Sequence, residues 1–327
     1  MRFIPPMMAS GKNAKKNRKA VPVVSRKQGL PWLTIAAVAV ILILAGGIFA
    51  VVLNKADENN AKAESLAAFR PSESNMDPST QIEGIYAGAN PELKNGTLEY
   101  PDYKVAIHVS STDRVAYNKF PPIGGPHDAV WAACNGVVYD TPVRNENMVH
   151  PLEHGAIWIA YNPATIAAGD LDKLKALVEN KSFMVLSPYT DLTTPISLQA
   201  WAHQLQLTSA SDPRIEQFVT ALRTNQFVTP EFGASCDQPS FDTVNPPALD
   251  TSPIDTASAI PMDGGTLAPD TSEMPAEGST VELPVDPSAS DSATTPETSG
   301  AADSTTEDTA TSTAGSTAKS TESAPTS

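Results

Sequence analysis

Two cysteines and five histidines are all the thiols and imidazoles that this 327-residue chain offers. No P-loop, no G-x-G-x-x-G and no G-x-S-x-G occurs anywhere in it. Phosphate-cradling nucleotide sites and the exposed elbow serine of a hydrolase therefore have no basis in the sequence. Positive charge is missing where a nucleic-acid partner would need it. Residues 1–27 hold eight Lys/Arg and no acid, and residues 28–240 hold 13 basic against 22 acidic residues. That balance builds no basic surface, so nucleic acid is not an expected partner. From Phe241 to Ser327 there are 15 Asp/Glu and a single Lys, which carries nearly all of the formal net charge of −15.

Charge of either sign is absent from Gln28 to Asn54, and what fills the gap is LPWLTIAAVAVILILAGGIFAVVL. About 20 apolar residues cross roughly 30 Å of hydrocarbon as a helix. A cleaved signal peptide would have a shorter apolar core, followed by a small-residue cleavage site. A transmembrane signal-anchor helix over 30–53 is the expectation, with a basic segment over 1–29 before it. Lys12, Lys15, Lys16, Arg18, Lys19, Arg26 and Lys27 all precede the span, and Lys55 is followed at once by Asp57 and Glu58. The positive-inside rule places the N-terminus in the cytoplasm and the bulk of the chain outside the cell membrane.

Residues 54–80 suit a polar stalk or linker that passes into a loop at Pro71. The globular part is expected over 81–240. QIEGIYAG and YKVAIHVS have the β-branched and aromatic alternation of strands, with a turn at the NGT of Asn95, which also matches a glycosylation sequon. GDLDKLKALVEN places Leu171, Leu174, Leu177 and Val178 at helical spacing behind an Asp170 cap. SFMVLSPY and AIWIAY suit strands, and PISLQAWAHQLQL is ambiguous. DPRIEQFVTALRTN, with Pro213 in its first turn, suits a second helix. These elements together favour a small α+β (mixed α/β) ectodomain. Residues 241–327, rich in Ser, Thr, Pro, Asp and Glu and without Trp, Tyr or Cys, have the composition of a disordered tail, either a solvated spacer or a glycosylated stalk.

Unusual chemistry concentrates in PPIGGPHDAVWAACNGVVYDTPVRNENMVHPLEHGAIWIAY, residues 121–161, which hold three of the five histidines and one of the two cysteines. Taken with HVSSTDRVAYNKF before it and MVLSPYTDL, AWAHQLQL and PEFGASC after it, this run resembles the DUF3105 family, mostly actinobacterial membrane-anchored proteins of unassigned function. The resemblance covers residues 76 to 236. It implies a membrane-anchored domain and no particular activity.

Cys134 and Cys236 bracket the globular part and lie on the side expected to be oxidising, which favours a disulfide. The alternative is a Cys134 nucleophile with a histidine base, which needs a free thiolate. His150, Glu153 and His154 formally match H-x-x-E-H, with Glu153 as a candidate catalytic base, but the following Gly155 and strand put the motif at a turn. A looser site in which His127, His150 and His154 hold Cu or Zn, with Glu153 or His108 as further ligands, is the metal alternative. The competing structural role is hydrogen bonding of buried imidazoles. Pro121, Pro122, Gly124, Gly125 and Pro126 form a tight loop whose backbone can approach a partner closely. Trp131, Trp158 and Tyr161 suit a core. Two functions of different class follow. One is a non-enzymatic envelope module that uses the loop-rich face to recognise a cell-envelope protein or wall component. The other is a histidine metal protein or metalloenzyme.

Overall fold

The computed structural model describes residues 32–270 and 272. Helix α1, Trp32–Ser65, is long and apolar enough to cross a membrane by length and composition, and it buries none of its residues in the protein. It runs beyond the apolar stretch: residues 54–65, expected as a stalk, continue the same helix. The basic segment over 1–29 and the first residues of the expected span lie outside the described residues. Short 3-10 turns at Ala67–Phe69 and Pro78–Gln81 then lead into the domain. The linker expected up to residue 80 thus already belongs to the packed structure.

The globular domain is α+β. Strands β1 (Tyr86–Ala87), β2 (Glu92–Lys94) and β3 (Thr97–Glu99) come first, followed by β4 (His108–Val109), β5 (His127–Asp128) and β6 (Asn135–Val138). Helix α2 (Asn145–Glu153), β7 (Ile157–Tyr161), α3 (Ala168–Val178) and β8 (Met184–Pro188) follow, and then β9 (Ile196–Ala200), β10 (His203–Leu207) and α4 (Arg214–Leu222). The main sheet has six strands in the order β1-β10-β9-β7-β8-β6. Its β6, β7 and β8 are parallel, and β9, β10 and β1 extend it as antiparallel neighbours. The parallel half needs crossover connections, which α2 and α3 supply.

Every residue of β7, β8 and β9 is buried. The near-continuous apolar runs IWIAY and MVLSP suit strands covered on both faces. PISLQAWAHQLQL resolves into the β9–β10 hairpin, turning at Trp201 and Ala202. The expected turn at Asn95 joins β2 to β3, with Asn95 and Gly96 both at positive φ, as a two-residue hairpin loop requires. Two details of the helix ends differ from expectation. The N-cap of α3 is Ala167, and Asp170 sits inside the first turn, where its charge still complements the helix dipole. Pro213 is the N-cap of α4.

Cys134 and Cys236 form a disulfide across 102 residues. The expected tail over 241–327 lies outside the described residues at 271 and from 273 on. Its first part, 241–270, is described and runs along the domain. Phe241 is buried and packs edge-on against Tyr139. Leu249, Ile260 and Met262 lean on the core. Backbone hydrogen bonds join Arg144 to Pro247, Ala116 and Arg114 to Ile260, and Asp270 to Ala106. The boundary expected at residue 241 therefore falls inside a packed segment.

Candidate metal centre

The order of strand, loop and helix brings the histidines together from three directions. His108 and His127 are direct partners across the parallel pair β4–β5. His150 lies in the last turn of α2 and His154 is its C-cap. Residues three and four apart on a helix share a face, so His150, Glu153 and His154 point the same way. Gly155 ends the helix at φ +92°. A Cβ there would come within 2.9 Å of Thr229 Oγ1, so only glycine lets α2 stop at His154 and β7 begin immediately.

Three of the four imidazoles are anchored through Nδ1. His127 Nδ1 meets the Gly125 carbonyl at 2.8 Å, His150 Nδ1 the Asp128 carbonyl at 2.7 Å and His154 Nδ1 the Ser235 carbonyl at 2.8 Å. His108 Nδ1 faces the Asp270 carboxylate at 3.7 Å. This leaves the Nε2 atoms as the candidate ligating nitrogens. They turn inward toward two carboxylates: His127 Nε2 stands 3.0 Å from Glu153 Oε2, and His154 Nε2 stands 3.3 Å from Glu231 Oε2. Imidazoles fixed from behind by carbonyls or carboxylates are the outer-shell pattern of metal ligands.

The donors fall into two overlapping groups whose ligand atoms lie within 4.8 Å of one another. One is His108, His127, His150 and Glu153, and the other is His150, His154 and Glu231. All are buried except His108, which is nearly so. The imidazole rings pack at centroid distances of 4.5 to 5.1 Å. Trp131 lies against His150 and His154, and Trp201 against His127. Trp158 and Tyr161 are core residues, as expected.

Burial decides the electrostatics. Desolvation is the largest influence on His127 and pushes its pKa down to about 4, so the ring is neutral, the form that ligates metal. Desolvation and then the charge of Glu231 push Glu153 up to about 8. The other oxygen of Glu153 accepts a hydrogen bond of 2.7 Å from the Ala106 amide. Ala106 is held at φ +54°, a conformation non-glycine residues seldom adopt. An Arg144 network steadies the same region. Its guanidinium contacts Asp128, Glu146 and the carbonyls of Ser110 and Asp113, which ties β5 and the 110–113 loop to the start of α2.

The structure thus gathers all four histidines singled out in the sequence, with Glu153 among them. It adds Glu231, which spacing did not reveal. Glu231 sits in PEFGASC, five residues before Cys236. Its amide donates to the Glu153 carbonyl at 3.0 Å, and the disulfide pins the same loop beside Cys134. The disulfide removes the thiolate that a Cys134 nucleophile would need. The H-x-x-E-H motif occupies the end of a nine-residue helix, so its second histidine lies at a helix terminus and the long helix of a zinc protease is missing. The loop expected to present a surface does not: Pro121, Pro122, Gly124, Gly125 and Pro126 are all buried. The reason is packing, with Gly124 against Tyr103 and Trp201 and Gly125 against Met262.

Residues 108–238 match a family model described as "Protein of unknown function (DUF3105)". No curated protein and no solved structure matches the chain.

Proposed function

Residues 108–238 are similar to the DUF3105 family, and from the geometry of the site we propose that the protein is a membrane-tethered, extracytoplasmic metal-binding protein. One observation carries this. Four imidazoles, three of them hydrogen-bonded through Nδ1 to backbone carbonyls, cluster around two buried carboxylates. Hydrogen bonding alone accounts poorly for such an arrangement, because buried carboxylates and imidazoles normally find close partners. Both Glu231 oxygens and Glu153 Oε2 lack a hydrogen bond of good geometry. A cation supplies what these oxygens lack.

The donors are nitrogen and oxygen only, since both cysteines are in the disulfide. Such a set suits Zn or Cu(II) better than the soft Cu(I) ion. The disulfide fits an oxidising compartment, and the basic residues before the apolar helix favour a cytoplasmic N-terminus. Of the loop-rich face around Pro121 to Gly155 considered for an envelope partner, the Pro121–Pro126 loop is buried, which favours the metal reading.

The test is metal content. Full-length protein purified in detergent without chelator is expected to carry Cu or Zn, and His127→Ala or His154→Ala is expected to lower it. Metal-free wild-type protein that takes up neither ion, or variants with unchanged affinity, would refute the proposal.

A further inference from the structure

Six donors exceed what one ion gathers here. Ligand atoms bound to one ion at about 2.1 Å stand at most about 4.2 Å apart. The donors form two groups that share only His150. Because its Nδ1 is committed to Asp128, His150 has one nitrogen to give and serves one ion. An ion held by the first group alone would leave Glu231 wholly buried beside His154, with no hydrogen bond to either oxygen. A desolvated carboxylate without donors is costly.

The molecule shows how it treats a structural carboxylate of this kind. Asp77, paired with His203, also accepts from Ser79 and Tyr100. Glu231 has nothing comparable. Its backbone bond to Glu153 nevertheless holds the two carboxylates side by side.

We propose that the centre is dinuclear, with one divalent ion held by His108, His127 and Glu153 and a second held by His150, His154 and Glu231. The inference rests on the metal-binding function proposed above and assigns Glu231 a role that no sequence motif suggested. Each ion then has two imidazoles and one carboxylate, three protein ligands with coordination left open, the pattern of reactive rather than sealed sites. Two divalent ions and two carboxylates leave positive charge for a bridging oxygen ligand of the hydroxide class. The indole N–H groups of Trp131 and Trp201 are buried without a partner beside the imidazoles and are the donors nearest to such a ligand. His108, the most exposed of the six ligands, stands 3.7 Å from Asp270.

Full-length protein in detergent, stripped with chelator and reloaded with Zn, is weighed by native mass spectrometry. Two Zn per chain are expected for the wild type and one for Glu231→Gln and for His154→Ala. X-ray absorption on the wild type checks the same point without a variant, and metal–metal scattering at about 3.5–4 Å is expected. One Zn per wild-type chain without that scattering, or a Glu231→Gln protein that keeps two, overturns the dinuclear assignment and leaves metal binding standing. No Zn at all overturns both.

Discussion

Two kinds of buried histidine stand side by side in this domain. His203 and the four clustered histidines share one half of their arrangement: His203 Nδ1 meets the Trp201 carbonyl at 2.6 Å, much as His127 meets Gly125. They differ at Nε2. That of His203 stands 3.0 Å from Asp77 and 3.2 Å from the Tyr100 hydroxyl, and Asp77 is in turn bonded to Ser79. That network closes on itself and fastens the 3-10 turn at Pro78–Gln81 to β10. The clustered imidazoles instead face one another and two carboxylates, of whose four oxygens only Glu153 Oε1 accepts a hydrogen bond. A buried histidine is structural when both of its nitrogens find protein partners. Nitrogens that converge on undersatisfied carboxylates support the cation site proposed above.

Ligand removal should separate the two kinds most sharply. His150→Ala is expected to lower Zn affinity by more than the roughly 10–100-fold typical of losing an outer-shell partner, while His203→Ala leaves it unchanged, as titration with a competing chelator would show. Next in size is the disulfide. Cys134→Ser with Cys236→Ser should cost about 2–5 kcal/mol of stability by denaturant unfolding. Because Glu231 and Ser235 ride on the pinned loop, it should weaken metal binding as well. Equal metal affinity in the reduced protein would break that link.

A smaller effect is expected for Asp77→Asn. Loss of a charged partner in the His203 network should cost about 1–3 kcal/mol by thermal or denaturant unfolding with metal content unchanged. The same variant gives the pH dependence. Burial raises the Asp77 pKa, but the hydrogen bonds and charge of His203, with Ser79 and Tyr100, outweigh it and hold the carboxyl below its ordinary 3.8. A depressed carboxylate contributes stability above its unfolded value and loses it as pH falls through the folded one. The gap between wild type and Asp77→Asn should therefore be full at neutral pH and narrow below about 3.8.

Much of this was legible in the sequence. The uncharged run from Gln28 to Asn54 specifies the apolar helix, and two cysteines in a domain expected outside the cell specify the bridge. The buried strands announce themselves as IWIAY and MVLSP. His150, Glu153 and His154 at helical spacing marked the centre, because i, i+3 and i+4 positions are neighbours whatever the tertiary context. Glu231 was not legible, since its approach to Glu153 depends on the return of the chain after α4 and on the Cys134–Cys236 link. Nor was the packing of 241–270. Averaged over the whole acidic Ser/Thr/Pro-rich stretch, Phe241, Leu249, Ile260 and Met262 are too dilute to signal a core, yet each meets an apolar surface supplied by distant residues. The Pro121–Pro126 loop misled for a related reason. Glycine and proline specify a tight path, and that path here runs beneath Met262 and Tyr103.

The most direct measurement is the elemental composition of the full-length protein isolated without chelator, set beside that of His127→Ala and His203→Ala. Bound Cu or Zn in the wild type and in His203→Ala, lowered in His127→Ala, is the predicted result. A wild-type protein that holds neither ion and takes up neither on reconstitution would contradict the account.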